Sequence, residues 1–262
     1  MIKNVCLAFL FIGFATTPIP SPAQVSVGVG ITIAPPPIPV YVQPPCPVPN
    51  YQWIPGYWGW GSGGYYWVPG TWVAAPAVGV LWTPGYWGWS TGVYYWHPGW
   101  WGPSVGFYGG VNYGFGYFGI GFVGGHWRGG SFFYNAAVVN VNKTVIRNTY
   151  VDKTVINKNI YNHSRVSYNG GPGGIQRRPT PDELAAERHR VAPTTEQNEN
   201  ARMAETDRNH LATVNHGYPK TMAMPHPYSA TNRPRHFAPV TDADREAAHR
   251  LIAAPRGHRP PR

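Results

Sequence analysis

A tryptophan repeat constrains the fold of this chain more than any other feature of its 262 residues. Between residues 51 and 101 the unit Tyr-x-Trp-x-Pro-Gly-x-Trp occurs three times, and a fourth copy has Val80 in the tyrosine position. A longer period of 29 residues relates Trp53–Trp72 to Trp82–Trp101, with 14 identities in 20 aligned positions. Such self-similarity is typical of a structural unit that is repeated along the chain.

A Pro-Gly dipeptide lies at the centre of every unit and predicts a type II turn. Proline presets φ at the second position of such a turn, and glycine adopts the positive φ that the third position requires. We therefore predict structural turns at Pro55-Gly56, Pro69-Gly70, Pro84-Gly85 and Pro98-Gly99.

These turns predict a register for the whole repeat. They set the tryptophans of each unit opposite one another, namely Trp53 with Trp58, Trp67 with Trp72, Trp82 with Trp87 and Trp96 with Trp101. The glycine-rich loop Gly61–Gly64 then sets Trp58 opposite Trp67, and its counterpart in the second half sets Trp87 opposite Trp96. The connection from Ala75 to Gly79 sets Trp72 opposite Trp82. Because these turns agree on one register, we predict a mainly β fold, an antiparallel meander of about eight short strands.

One face of this meander carries a row of eight tryptophans. The row consists of Trp53, Trp58, Trp67, Trp72, Trp82, Trp87, Trp96 and Trp101. Cross-strand aromatic pairs contribute roughly 0.2–1 kcal/mol each, so the row can stabilise a glycine-rich sheet. The general tendency of large aromatic side chains to be buried favours a core. An exposed row would instead be a platform on which sugars or peptides stack, and both interpretations stay open at this point.

Charge divides the chain into two halves. After Lys3 the next charged side chain is Arg128, so residues 24–127 contain no Lys, Arg, Asp or Glu. Catalysis needs acids, bases or nucleophiles held on a rigid scaffold. The aromatic half offers His97, His126, Cys46 and tyrosines, and we interpret His97 as a variable turn residue. The histidines of the basic half lack a tight metal-ligand spacing, so we expect no catalytic residue, no cofactor and no metal site.

The first residues are typical of an export signal. Lys3 precedes the apolar run Val5–Phe14, which is too short to span a bilayer. Ser21-Pro22-Ala23 places small residues at the recognition positions for cleavage, so we predict a signal peptide over residues 1–23. Cys46 is then the single cysteine of the mature chain, and it either pairs between chains or stays a free thiol.

The remaining segments are defined by composition. Residues 24–50 predict one strand followed by a proline-rich segment, and 102–137 are rich in glycine and aromatic residues. Residues 138–168 are rich in Val, Ile and Asn and predict β structure, with Asn142–Ile146 recurring as Asp152–Ile156. The polar, basic tail 169–262 contains capping boxes that predict short helices after Thr180, Thr194 and Thr241. Because the apolar faces of these helices are poor, we expect the tail to be mostly disordered.

The four Trp-x-Pro-Gly-x-Trp units resemble the bacterial YXWGXW-repeat proteins, a family of small exported proteins of unknown function. The resemblance implies an envelope or extracellular protein and supplies no catalytic residues. Our leading hypothesis is a non-enzymatic exported structural or binding protein of the bacterial cell envelope, in the periplasm or at the cell surface.

Two alternatives belong to other functional classes. The first is a carbohydrate-binding platform that uses the stacked tryptophans. The second is a component of an outer-membrane-associated assembly, with the uncharged half, which includes Val105–Gly125, in or on the membrane. The partner is unknown and could be envelope polysaccharide, the outer membrane or another copy of the chain. Nucleic acid is disfavoured, since basic and aromatic residues are segregated along the chain.

Overall fold

The computed structural model describes residues 30–159 and 164–227. The predicted signal peptide, most of the predicted strand after it and the helix expected after Thr241 lie outside the described residues. The fold is mainly β with short antiparallel hairpins, as the sequence predicts.

Eight strands form the tryptophan repeat, four in each unit of 29 residues. The first unit contains β1 (Tyr51–Ile54), β2 (Tyr57–Gly61), β3 (Gly64–Val68) and β4 (Thr71–Ala74). The second contains β5 (Leu81–Thr83), β6 (Tyr86–Ser90), β7 (Val93–His97) and β8 (Trp100–Gly102). The pairings are β1 with β4, β2 with β3, β5 with β8 and β6 with β7, all antiparallel. Each unit is therefore one long hairpin, and both of its arms are interrupted at Pro-Gly.

The register through the glycine loops is confirmed, and the register through Pro-Gly is wrong. Trp58 pairs with Trp67 and Trp87 pairs with Trp96, as predicted. Trp53, however, pairs with Trp72, and Trp82 pairs with Trp101. The four pairs that were predicted to face each other across a Pro-Gly turn do not form, and neither does the pair of Trp72 with Trp82. The chain reverses at the glycine loops, where Gly64 and Gly92 have φ of +95° and +90°.

Glycine is required after each proline because of close approach and not because of a left-handed backbone. None of Gly56, Gly70, Gly85 and Gly99 has a φ between +20° and +160°. Instead, an indole ring from the opposite arm lies over each of them. A Cβ on Gly70 would lie 2.5 Å from Trp53 Cζ2, and a Cβ on Gly85 would lie 2.5 Å from Trp96 Cζ2. A side chain at these positions would therefore displace a tryptophan.

The two units pack against each other through aromatic and polar contacts. Tyr57 stacks on Trp96 with the ring centroids 4.9 Å apart. The Nε1 of Trp87 donates to the carbonyl oxygen of Trp58 at 2.8 Å. These contacts join the first hairpin, on the side that faces away from its paired tryptophans, to the tryptophan side of the second hairpin. The two repeats therefore share one core.

Shorter elements complete the described fold. The strands are β9 (Asn112–Gly114), β10 (Tyr117–Phe118), β11 (Gly125–Arg128), β12 (Ser131–Asn135), β13 (Thr149–Tyr150) and β14 (Tyr168–Asn169). β13 runs parallel to β12, and β14 runs parallel to β6. The helices are α1 (Thr154–Asn159), α2 (Pro181–Ala186), α3 (Thr195–Thr206) and α4 (Ala212–Asn215), and short 3₁₀ turns lie at Glu187–His189 and Arg208–His210.

The segment 138–168 contains less β structure than its composition predicts. Both copies of its ten-residue repeat begin with a side-chain-capped turn. Asn142 Oδ1 accepts from the backbone N–H of Thr144 at 3.0 Å, and Asp152 Oδ1 accepts from that of Thr154 at 2.9 Å. These local bonds compete with a strand ladder, and the second copy leads into α1.

The part of the tail that the structure describes packs onto the repeat, so the prediction of a mostly disordered tail is wrong for residues 169–227. The capping boxes at Thr180 and Thr194 are confirmed and begin α2 and α3. α3 buries Gln197, Asn200 and Ala204, which lie on one face of the helix. Because two of these three residues are amides, the apolar periodicity of the sequence does not reveal this buried face.

His210 links the 3₁₀ turn after α3 to the first unit through a hydrogen bond. The side chain is 2% exposed, and its Nδ1 hydrogen-bonds the carbonyl oxygen of Trp67. Burial lowers the pKa of His210, although this carbonyl and the carboxylate of Asp207, 4.0 Å from Nε2, act in the opposite direction.

We predict that Gly99→Ala destabilises the fold by about 2–3 kcal/mol because its methyl group would overlap the ring of Trp82. Urea unfolding, followed by near-ultraviolet circular dichroism, measures the loss. Gly61→Ala is the matched control, since the atoms nearest to its methyl group would belong to the flexible side chain of Glu205, which can move aside. Equal effects of the two substitutions would contradict the packing of indole on glycine.

A second prediction concerns pH. Because the pKa of His210 is lowered in the folded state, the unfolded chain binds more protons below about pH 6.5. The stabilisation is fully present above that pH and is lost as the pH falls toward the folded pKa. Urea unfolding between pH 7 and 5 should show a shallower decline for His210→Gln than for the unmodified protein. The exposed Asn198→Gln variant, which removes no titratable group, should keep the original slope.

Candidate functional site

The predicted tryptophan row lies inside the fold. Seven of its eight members are at most 5% exposed, and Trp96 is half-buried. The paired rings are in contact, with centroid separations of 5.3 Å for Trp53–Trp72, 5.2 Å for Trp58–Trp67, 5.3 Å for Trp82–Trp101 and 5.4 Å for Trp87–Trp96. In this fold the row is a core, and seven of its eight rings are too deeply buried for a ligand to stack on them.

Backbone carbonyls satisfy several of the buried indole N–H groups. Trp58 Nε1 donates to the carbonyl oxygen of Pro37 at 3.1 Å, and Trp72 Nε1 donates to that of Pro44 at 2.8 Å. The proline-rich segment thus lines the tryptophan row as a series of acceptors. Proline supplies a carbonyl and no backbone N–H, which suits a strip of chain that has to accept bonds from indoles.

Each hairpin unit has a reverse face, on the side away from its paired tryptophans. The two reverse faces differ in what packs on them. In the first unit α3 covers this face, where Tyr66 and Val68 pack with Ala204 and are 8% and 2% exposed. In the second unit the equivalent residues are Tyr95 and His97, which are half-buried and exposed, respectively.

A groove lies over the reverse face of the second unit and has a volume of about 370 Å³. Gly88 lies on its floor, and the Tyr86 and His97 rings stack in parallel beside it with centroids 4.4 Å apart. Trp89, Tyr95, Trp100 and Phe107 add aromatic surface, and Glu183, Leu184 and Glu187 border it from the side of α2. Its size and its mixture of aromatic and polar groups are typical of small-ligand sites.

Neighbouring groups and burial constrain the titratable side chains of the groove. Glu183 is engaged by Arg177 at 2.7 Å and by the backbone N–H of Thr180 at 2.9 Å. Burial raises the pKa of Tyr86 to about 12. Desolvation also lowers the pKa of His97, an effect that the nearby carboxylate of Glu187 partly offsets. Burial thus favours the uncharged form of both stacked rings.

His97 is the functional candidate that sequence reasoning placed wrongly. It ends β7 and stacks on Tyr86, whereas the sequence interpretation made it a variable turn residue. The available signal was the comparison of the two units, because Val68 in the first corresponds to His97 in the second.

Cys46 is a free, fully buried thiol. Its Sγ donates to the carbonyl oxygen of Val48 at 3.2 Å and lies 3.7 Å from the hydroxyl of Tyr134. Burial raises the pKa of the Cys46 thiol to about 12. A nucleophilic cysteine needs an accessible thiolate, so the surroundings of Cys46 favour a structural role.

The described ranges, 30–159 and 164–227, lack two features. Within them no group of three or more His, Cys, Asp or Glu side chains is placed to hold a metal ion. No helix within them combines the length and apolar character needed to cross a membrane.

A family model, the WXXGXW repeat, matches residues 49–73 with two copies. This match confirms the resemblance that the Trp-x-Pro-Gly-x-Trp units indicate, and it coincides with the first hairpin unit. Comparison with curated proteins gives no match, and comparison with solved structures gives none.

We predict that Cys46 in the native protein reacts with a thiol reagent such as 5,5′-dithiobis(2-nitrobenzoate) at least about 100-fold more slowly than in urea. The reason is that the thiol is 0% exposed and its pKa is raised. An exposed cysteine introduced by Ser62→Cys supplies the control, since residue 62 lies in an open loop. Equal native reaction rates at both sites would contradict the buried position.

Proposed function

We propose that this chain, which carries the WXXGXW repeat, is an exported, non-enzymatic protein of the bacterial cell envelope. The tryptophan repeat serves as its structural core, and the aromatic groove of the second unit serves as its binding surface. The export-signal pattern of residues 1–23 supports an extracytoplasmic location.

The observation that carries the structural role is the way the core is built. Its tryptophans are paired ring against ring, and its phenols are buried and hydrogen-bonded to carbonyls. Tyr117, for example, donates to the carbonyl oxygen of Trp82 at 3.0 Å, and burial raises its pKa well above the ordinary value. These groups stabilise a fold and are poorly suited to exchange protons near neutral pH.

Carbohydrate binding is the second candidate function, and the groove is the observation that favours it. Sugars present C–H faces that stack on aromatic rings and hydroxyls that bond to polar rims. The groove combines Trp89, Tyr95 and the Tyr86–His97 stack with the carboxylate of Glu187. This surface takes the place of the buried tryptophan row as the site of stacking.

Fractionation of a Gram-negative host that expresses the full chain tests the proposal. We expect the protein outside the cytoplasm with an intact mass that corresponds to a chain starting at Gln24. Ala23→Tyr should block cleavage because the recognition position takes only small residues, whereas Ala23→Ser should be processed normally. A cytoplasmic protein that retains residues 1–23 would overturn the proposal.

The same fractions decide how the protein associates with the envelope. Protein that is released from membranes by carbonate belongs to the periplasm or the medium. Protein that resists carbonate and sediments with the outer membrane would support the assembly hypothesis.

A further inference from the structure

The tail of the chain contacts the first hairpin unit at several points. α3 packs on the reverse face of this unit. Behind α3, Leu211 forms a β-bridge with Tyr66, and Nδ1 of His210 hydrogen-bonds the carbonyl oxygen of Trp67. The tail segment that begins with α3 therefore completes one copy of a scaffold that the chain contains twice.

The corresponding surface of the second unit is the aromatic groove. Tyr95 and His97 occupy the positions of Tyr66 and Val68 and are half-buried and exposed, respectively. Leu184 lies on α2 at the border of the groove and is 52% exposed. An exposed leucine beside aromatic side chains forms an apolar surface of the kind that a partner covers. Because the scaffold is the same in both units, this surface fits a helix that packs as α3 does.

The chain contains a further segment with the sequence pattern of α3. Thr241–Asp244 is a capping box, which predicts a helix that begins after Thr241. Pro255 limits this helix at its other end. The segment lies outside the described residues, so its helix is an expectation from the sequence.

The expected helix has a face that resembles the buried face of α3. In α3 this face holds the third, sixth and tenth residues after the cap, namely Gln197, Asn200 and Ala204. The same positions after Thr241 are held by Asp244, Ala247 and Leu251. Since alanine replaces an amide and leucine replaces alanine, the expected helix is more apolar at these positions than α3. Such a face suits a groove that is lined by aromatic side chains.

Charge also favours this pairing. Glu187 borders the groove and pairs with Arg190 at 3.2 Å, but both side chains are more than half exposed, so the ion pair is weak. Residues 228–262 contain seven arginines and three acidic residues. In the expected helix Arg245 and Arg250 are each three residues from an alanine of the apolar face, so they flank that face. An arginine of the segment can therefore approach Glu187.

The connecting chain is long enough to reach the groove. Met224, near the end of the described chain, donates its backbone N–H to the carbonyl oxygen of Gly70 at 2.7 Å. Pro69 and Pro98 line one small space between the units, and Pro98 also borders the groove. The 13 residues from 228 to 240 span up to about 40 Å when they are extended. The segment can therefore reach the groove of its own chain.

We infer that residues 241–254 dock as a helix in the groove of the second unit, with Leu251 beside Leu184, as α3 packs on the first unit. The inference goes beyond the proposed function, since it concerns a segment of the chain itself and requires neither export nor a sugar. An external ligand of the groove has to displace this segment.

Ser90 is the position at which docking can be measured. It is exposed and lines the groove, and its counterpart in the first unit is Gly61. A Cβ on Gly61 would lie 2.5 Å from the carboxylate of Glu205 on α3. Glu205 is the eleventh residue after its cap, and the eleventh residue after Thr241 is Ile252. The docked segment should therefore cover residue 90.

The reactivity of Ser90→Cys in the full chain tests the inference. This substitution is close to isosteric, and N-ethylmaleimide is a neutral reagent. Peptide mass spectrometry reports the reaction at residue 90 alone. Adding Leu251→Asp should raise the reaction rate at least about tenfold, because a segment on a short linker acts at an effective concentration in the mM range and this protection would be lost.

His249→Asp is the matched control. It introduces the same side chain on the opposite face of the expected helix, so the reaction rate at residue 90 should stay unchanged. Both substitutions lie outside the repeat, so the second unit itself is unaltered in either variant.

Three results would overturn the inference. The first is an equal reaction rate at residue 90 with and without Leu251→Asp. The second is an equal effect of His249→Asp and Leu251→Asp, which would exclude a specific helix face. The third is protection that disappears on dilution from about 100 μM to about 1 μM, since docking within one chain is independent of concentration and such a loss would assign the segment to a second copy. Export and sugar binding are measured separately, so these results leave the proposed function unaffected.

Discussion

The contact of an indole ring with a glycine on the opposite arm of its hairpin is the interaction on which the rest of the structure depends. Trp53 covers Gly70 while Trp67 covers Gly56, and Trp82 and Trp96 cover Gly99 and Gly85 in the same reciprocal way. The second tryptophan of each motif then pairs with the first tryptophan of the other arm. One Trp-x-Pro-Gly-x-Trp motif cannot complete this arrangement, because its rings need the glycine of a partner. The family model accordingly matches two copies within residues 49–73.

The interruptions at Pro-Gly explain why other segments of the chain belong to the fold. Each interruption opens the ladder and leaves backbone groups to be satisfied. The N–H of Gly56 donates to the hydroxyl of Tyr41 at 3.0 Å. Gly70 is paired on both sides by the C-terminal segment, since its N–H donates to Met222 O at 3.1 Å and its carbonyl accepts from Met224 N at 2.7 Å. The proline-rich segment and the polar tail therefore supply hydrogen-bond partners for backbone groups that the repeat itself leaves unpaired.

The sequence was a reliable guide where local chemistry had a single outcome. The glycine loop at 61–64 has to reverse the chain, so the pairing of Trp58 with Trp67 was predictable. The capping boxes at Thr180 and Thr194 act within four residues and begin helices as expected. Pro-Gly, in contrast, fits a type II turn and a close backbone approach equally well, and only the tertiary contact with an indole decides between them. The face of α3 that covers the first unit was also hidden, because it is made of Gln197, Asn200 and Ala204.

The differences between the two units indicate where the function of the chain is to be sought. Of the 20 aligned positions, the six that differ are Ile54/Thr83, Gly61/Ser90, Ser62/Thr91, Gly64/Val93, Val68/His97 and Thr71/Trp100. Each of these positions lies either in the hairpin loop or next to a paired aromatic residue on a strand. Because side chains alternate between the two faces of a strand, the strand positions belong to the reverse face. The tryptophan face is identical in both units because the interlocked rings leave no room for another side chain. On the reverse face, Val68 packs under α3, whereas His97 stacks beside an open groove. Two copies of one scaffold thus carry different surfaces, one packed under α3 and the other lining a groove that α2 borders.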